Sequence, residues 1–285
     1  DEIKTGVVPV ITGFQGMNDN GDITTLGRGG SDTTGVALAV ALEADECQIY
    51  TDVDGVFTTD PRIYDKARLL EKITFEEMLE LSSMGAKVLQ LRAVEYASKY
   101  KMPIRVLSSF NDGKGTLVEE EKDSMERPIV SGISSIDDEA KITIRRVPDI
   151  PGVAAKILSP ISDSGIDVDV IVQNIGADNT TDFTFTVNEV DAKKAEEILL
   201  GMAESFGGGQ VEVDSDIAKI SIVGRGMRAH AGIASKMFQA LANSEINILL
   251  ITTSEIKISV VIKENEMQKA VKCLHDAFDL DKELD

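Results

Sequence analysis

The second half of this chain is written twice. Gly152-Val153-Ala154-Ala155-Lys156-Ile157-Leu158 aligns with Gly232-Ile233-Ala234-Ser235-Lys236-Met237-Phe238 at a constant offset of 80 residues. The same offset pairs Ser164 with Ser244, Ile166 with Ile246 and Asp167 with Asn247. An alternating strand pattern precedes each glycine: Lys141-Ile142-Thr143-Ile144, then Lys219-Ile220-Ser221-Ile222. After each comes a helix, a strand opening on Ile-Asp or Ile-Asn, and another alternating strand. That strand is marked by Phe183, Phe185 and Val187 in the first copy and by Ile256, Ile258 and Val260 in the second. Helices over 192–206 and 265–278 close the copies. Each copy reads β-α-β-β-α-β, a ferredoxin-like α+β unit, although the last strand of the second is not evident. Duplication by itself is silent on function, since two such sheets could merely join chains.

The first half has another texture. An apolar run over 7–14 predicts a buried, parallel-type strand, and 15–21 a polar turn. A helix is predicted over 33–44, apolar on nearly all sides and so buried between layers. Cys47-Gln48-Ile49-Tyr50-Thr51 predicts a second strand, running into a loop with a turn signal at Asp54-Gly55 and a stop at Pro61. Thr74 and Glu77 have the spacing of a capping box. An amphipathic helix is predicted over 86–99 and a strand over 104–107. Strands alternating with helices predict a three-layer α/β domain. The polar stretches 111–115 and 119–127 place a boundary, which gives domains at 1–127, 128–214 and 215–285.

Between the first strand and helix lies Thr25-Leu26-Gly27-Arg28-Gly29-Gly30-Ser31-Asp32. Glycines permit sharp turns and close approach of a ligand. A helix starting near Ser31 aims its free N–H groups and positive dipole end at that loop, a geometry that binds phosphate or carboxylate. Arg28 adds a fork of donors for the same groups. The plain alternative is a glycine turn before a helix with Ser31 as N-cap. The formal net charge of −20 argues against nucleic acid or an anionic membrane as partner. No apolar run reaches the length of a membrane helix. Cys47 and Cys273 lack metal spacing and read as core thiols, which fits a reducing cytoplasm.

Taken together, the glycine loop, Thr51-Asp52-Val53-Asp54-Gly55-Val56, Thr59-Asp60-Pro61-Arg62, Gly85-Ala86-Lys87-Val88-Leu89 and the two repeats resemble the aspartate kinases. The resemblance covers essentially the whole chain. It is closest to the monofunctional bacterial form. It implies the C-terminal part of an amino-acid-kinase αβα domain followed by two ACT domains. The implied reaction is ATP- and Mg²⁺-dependent phosphorylation of the L-aspartate side-chain carboxylate, the first step toward lysine, threonine and methionine. Arg28, Gly29, Gly30 and Ser31 then match the aspartate-holding segment, and Asp32 the acidic residue that organises a catalytic lysine. Thr51, Asp52, Phe57 and Arg62 match the nucleotide loop, and Lys87 and Val88 a second nucleotide-contacting pair. Phe57 stands where many members carry tyrosine, which keeps an aromatic ring at that position and leaves no hydroxyl for a hydrogen bond.

The resemblance also implies feedback by lysine, threonine or both. Asp149, Ala154, Asp167, Val168, Asp169 and Gln173 match the first effector site. Ile233, Ala234, Asn247, Ile248, Thr253 and Ser254 supply the facing elements. Because Asp167 becomes Asn247 in the second copy, the two copies need not take the same ligand. ACT pairs in this family join chains, which implies a homodimer or an α2β2-type assembly. Plainer readings stand beside these. Asp60-Pro61-Arg62 is an ordinary turn, Asp52, Asp149 and Asn247 are caps, Lys87 is a solvated lysine and His230 is structural. Family members open with a Lys-Phe-Gly-Gly-Thr-Ser segment that this sequence does not contain, so little or no kinase activity is expected of this polypeptide alone. The alternatives are a non-catalytic, amino-acid-sensing regulatory chain, or the kinase part of a fusion with homoserine dehydrogenase. The second is weakened because no dinucleotide motif follows the repeats.

Overall fold

A computed structural model describes residues 5–83, 88–120, 129–176, 179–207 and 209–282. The chain first forms a small hairpin of β1 (Gln15–Met17) and β2 (Ile23–Thr25). The Asn18 side chain closes its turn by accepting from the N–H groups of Asn20 and Asp22. Next come α1 (Gly30–Ala41), β3 (Cys47–Thr51), β4 (Lys72–Thr74), α2 (Phe75–Ser83), α3 (Leu91–Tyr100), β5 (Ile104–Ser108) and β6 (Thr116–Glu119). The sheet order is β3-β5-β6-β4. β3 runs parallel to β5 and β4 to β6, with β5 antiparallel to β6. The core beneath is aliphatic, built from Val36, Met78, Val94, Ile104, Val106 and Val118. The mixed α/β class is the expected one, and β3 and β5 fall where the sequence places them.

Four expectations are corrected. Residues 7–14 are not a strand: Val8 is 84% and Val10 95% exposed. β-branched residues favour a strand only against a paired, packed neighbour, and this run has none among the described residues. α1 starts at Gly30 with Gly29 as N-cap, in the left-handed region at φ 70°, and Ser31 makes no cap. It ends at Ala41 because Glu43 turns left-handed at φ 53° and its N–H bonds back to Val40, while that of Ala44 reaches Ala39. Nor is α1 buried all round. Val36 and Ala39 are inside, but Ala41 and the C-cap Leu42 are exposed, since α1 packs mainly on α3 and β3. Finally, α3 begins at Leu91. Val88 lies in a turn before it, and Ala86 and Lys87 lie outside the described residues.

The second half comprises β7 (Gly132–Ile136), β8 (Glu139–Pro148), α4 (Val153–Asp163), β9 (Val168–Ile175), β10 (Thr180–Asn188), α5 (Glu189–Met202), β11 (Gln210–Asp214), β12 (Ile217–Val223), α6 (Ile233–Asn243), β13 (Leu250–Thr253), β14 (Lys257–Lys263) and α7 (Met267–Ala277). The first copy is a complete antiparallel sheet, β11-β8-β10-β9, under α4 and α5. The second is β13-β14-β12-β7. Its missing fourth strand is therefore β7, which precedes the first copy in the chain and pairs antiparallel with β12. Gly152 and Gly232 cap the equivalent helices at φ 90° and 92°, the structural trace of the repeat. Val170 and Leu250 meet with Ile217 and Val261 where the two sheets touch.

The second copy is fastened to the first domain. Val223, at the end of β12, belongs to the first domain's core cluster. The Thr74–Glu77 capping box forms as predicted: Glu77 N–H donates to Thr74 Oγ1 at 3.2 Å, and Thr74 N–H to Glu77 Oε2 at 3.2 Å.

Candidate functional site

Because β3 and β5 are parallel, the loops that follow them leave the sheet at one edge, where open α/β sheets place ligands. The loops are tied there: Ser109 N–H donates to Thr51 O at 2.7 Å, and Asn111 Nδ2 to Asp54 Oδ1 at 3.1 Å. Thr51 Oγ1 donates to Asp52 Oδ1 at 3.2 Å, and Asp52 is exposed. Phe57 is half-buried and bridges to Leu69. Arg62 is exposed, and Asp60 holds it bidentately, with Nε–Oδ1 at 3.0 Å and Nη2–Oδ2 at 2.6 Å. That hydrogen-bonded pairing raises the pKa of Arg62 and sets the direction in which its fork points.

The glycine loop is shaped by packing as much as by any ligand. A Cβ on Gly29 would stand 1.6 Å from Gln90 Cγ, and one on Gly30 would stand 2.7 Å from Leu26 Cβ. Gly29 thus lets α1 sit against the start of α3, and Gly30 lets it sit against Leu26 and Phe14. Arg92, which the sequence did not single out, clamps the loop from α3: its Nη2 donates to Leu26 O at 2.6 Å and to Arg28 O at 3.3 Å. Only the topology, which brings α3 beside α1, reveals it. Arg28 and Ser31 are exposed and Asp32 is half-buried, with Ser31 Oγ 3.4 Å from Asp32 Oδ1. Burial, and secondarily the charge of Asp32, push the Cys47 thiol up, so Cys47 is an inert core thiol. The first-turn N–H groups of α1 face this end of the loop, as any helix N-terminus presents them.

On the side of the repeats, Asp167, Val168 and Asp169 line one cleft of 560 Å³ with Glu139, Lys219 and Ser83. Lys219 is buried and ion-paired to both Glu139 and Asp169. Burial lowers its pKa, but the two carboxylates outweigh that and hold the ammonium above its ordinary value. Asp149 and Gln173 are exposed, and Ala154 leans on the first copy's core. Ile248 lines a separate groove of 460 Å³ over the face of the first sheet, beside Lys141, Arg145 and Asp182. Ser254 lines a third cleft with Glu76 and Arg228. Ile233 is a core side chain and Ala234 packs beside it, whereas Asn247 and Thr253 are exposed. Within one chain these residues are divided among several places. Val88 packs against the first domain's core.

The amino acid kinase family model matches residues 1–108, and ACT domain models match 142–201 and 220–278. The aspartate kinase of Stutzerimonas stutzeri is 63% identical over 281 residues, covering 98% of this chain and 68% of the relative. This chain belongs to the aspartate kinase family. The crystal structure of Clostridium acetobutylicum aspartate kinase superposes with a TM-score of 0.85 at 29% identity, over 93% of this chain and 62% of that one. E. coli aspartokinase III in complex with aspartate and ADP gives 0.78 at 27%, over 93% of this chain and 59% of that one. The chain thus spans about two thirds of the length of its aspartate kinase relatives. It carries part of the kinase fold and both ACT domains.

Among the described residues no three His, Cys, Asp or Glu side chains form a metal-holding group, and no helix is long and apolar enough to cross a membrane.

Proposed function

We propose that this chain serves ATP-dependent phosphorylation of the L-aspartate side-chain carboxylate, under feedback by lysine, threonine or both through its ACT pair. The observation that carries the reading is the likeness to one relative over 98% of the chain, spanning kinase sheet and both repeats alike. The geometry supports it: a nucleotide loop leaves the C-terminal edge of β3, and an arginine-clamped glycine loop leads into a helix N-terminus.

Phosphoryl transfer asks little covalent chemistry of a protein and much positioning. Arg28 and the first turn of α1 are suited to hold the carboxylate of aspartate, with Ser31 and the Gly29–Gly30 backbone beside it. Asp32, half-buried at the first turn of α1, is suited to orient a lysine. Thr51, Asp52, Phe57 and Arg62 hold base, ribose and phosphates, with Lys87 and Val88 as the second pair. The exposed Arg62 reaches the nucleotide by exchanging its half-buried Asp60 partner for phosphate. A Mg²⁺ ion fits this donor set as one carried by the nucleotide phosphates and water, supplying charge neutralisation.

The effector carboxylate is suited to the α4 N-terminus beside Asp149, and its ammonium to Asp167, Asp169 and Gln173. The facing residues Asn247, Ile248, Thr253 and Ser254, with the backbone at Ile233 and Ala234, come from a second chain in a homo-oligomer built through the ACT domains. The domain limits are 1–127, 128–214 and 215–285, with β7 lent to the last, in a cytoplasmic enzyme.

Calorimetry on this chain with ATP–Mg²⁺, aspartate, lysine and threonine tests the reading, alongside a coupled assay with ATP and aspartate. Binding of nucleotide and of an amino acid effector supports it. Effector binding with no affinity for nucleotide would replace it with an amino-acid-sensing regulatory chain.

A further inference from the structure

The loop that carries Phe57 and Arg62 is closed at its base as a short antiparallel pair. Leu70 N–H donates to Val56 O and Thr58 N–H to Arg68 O, both at 2.8 Å. Its inner side, however, lodges in the second ACT domain. Ile133 N–H, on β7, donates to Thr58 O at 2.7 Å. Ile63 packs against the second ACT core. Thr58 Oγ1 lies 2.9 Å from His275 Nε2 on α7, and both residues are fully buried. Tyr64 Oη donates to Asp276 Oδ1 at 2.6 Å, and the Tyr64 ring meets His275 edge-on with centroids 5.0 Å apart.

The chemistry at Thr58 is specific. Its Oγ1 already accepts the N–H of Arg68 at 2.9 Å, so the hydroxyl bridges the loop's base to α7. Among the described residues, of the imidazole's two nitrogens only Nε2 has a hydrogen-bond partner, and Nδ1 is buried with none. Packing alone would be served by an apolar side chain at less desolvation cost. What the imidazole adds is the bond to Thr58.

We propose that His275 and Asp276 are positioning residues for the nucleotide loop: through Thr58 and Tyr64, α7 sets where Phe57 and Arg62 stand. This rests on the assignment of that loop to the nucleotide. It follows that a displacement of α7 against the β3-β5-β6-β4 sheet carries the loop with it, a direct route from the second ACT domain to ATP affinity.

The test is steady-state kinetics in a chain carrying the complete kinase domain of the family around these residues, with ATP and aspartate varied separately. His275→Leu is expected to raise the KM for ATP about fivefold, the worth of one neutral hydrogen bond, and to hold that for aspartate within about twofold. His275→Gln, whose amide reaches toward Thr58, restores most of the loss. Tyr64→Phe removes the second tie without opening the core and shifts the KM for ATP in the same sense. Arg62→Ala tests the loop itself: an unchanged KM for ATP removes the nucleotide assignment, and the proposal with it. If Arg62→Ala raises that KM while His275→Leu and Tyr64→Phe leave it alone, the loop assignment stands and the positioning role is overturned. Equal losses for both substrates, with no recovery in His275→Gln, also overturn it.

Discussion

Glu77 Oε1 accepts the backbone N–H of Arg225 at 3.1 Å, across 148 residues of chain. The same oxygen takes the hydroxyl of Ser131 at 2.6 Å, while Oε2 serves the capping box with Thr74. One buried carboxylate thus starts α2 and joins the kinase sheet to the second ACT domain. Around it, Arg225 and Arg228 pair with Glu76, and Lys257 with Glu80. Those more exposed pairs contribute little individually; the buried oxygen carries the joint.

Glu77→Ala is therefore expected to cost about 2–4 kcal/mol, because it strips the acceptor from buried donors. Glu77→Gln recovers less than half of that, since an amide NH₂ then faces a donor. Urea unfolding measures both. A cost for Glu77→Ala no larger than that of an exposed glutamate would show that the joint is held elsewhere.

Lys219 neutralises Glu139 where the sheets meet, so Lys219→Met leaves a buried carboxylate unpaired and should destabilise by about 3–5 kcal/mol. The double substitution Lys219→Met with Glu139→Leu should regain most of it. Additive losses in the double-mutant cycle would refute the pairing as the cause.

His275 makes stability depend on pH. Burial pushes its pKa below the ordinary 6.5, against the opposing pull of Asp281 and Asp276, with Arg68 and Lys66 adding to the lowering. The unfolded chain takes up a proton near 6.5 that the folded chain refuses, so this contribution is present above 6.5 and is lost as pH falls from there toward the folded value. The melting temperature of the wild type should fall relative to His275→Leu as pH drops through that window. Parallel curves for the two proteins would exclude it.

Asp167→Asn writes into the first ACT copy the residue found at the matching position of the second. If Asp167 takes the effector's ammonium, the affinity for the inhibiting amino acid should drop about tenfold, the worth of one charge-assisted hydrogen bond. Calorimetry reads it directly, and an unchanged isotherm would move the ammonium site to Asp169 or Gln173.

Much of this architecture was legible in the residues. A repeat at a fixed offset, alternating strands and paired glycines define two ferredoxin-like units, because those signals are local and each copy repeats them. β3, β5 and the Thr74–Glu77 capping box were likewise readable, since spacing within one element settles them. Residues 7–14 misled because a strand is a relation between two segments, and β-branched composition describes one. α1 was misjudged in the same way: an apolar surface tells what a helix can bury, and only its neighbours tell what it does bury.

The chain's own order of residues thus determined its family and the two ACT copies, and it marked the segments proposed to bear on nucleotide and substrate. The tertiary structure alone decided three things: that β7 completes the far ACT sheet, that Arg92 clamps the glycine loop, and that Thr58 meets His275. Each is a contact between segments distant in sequence. No periodicity or spacing encodes such a contact, because it arises only when several buried surfaces are satisfied at once.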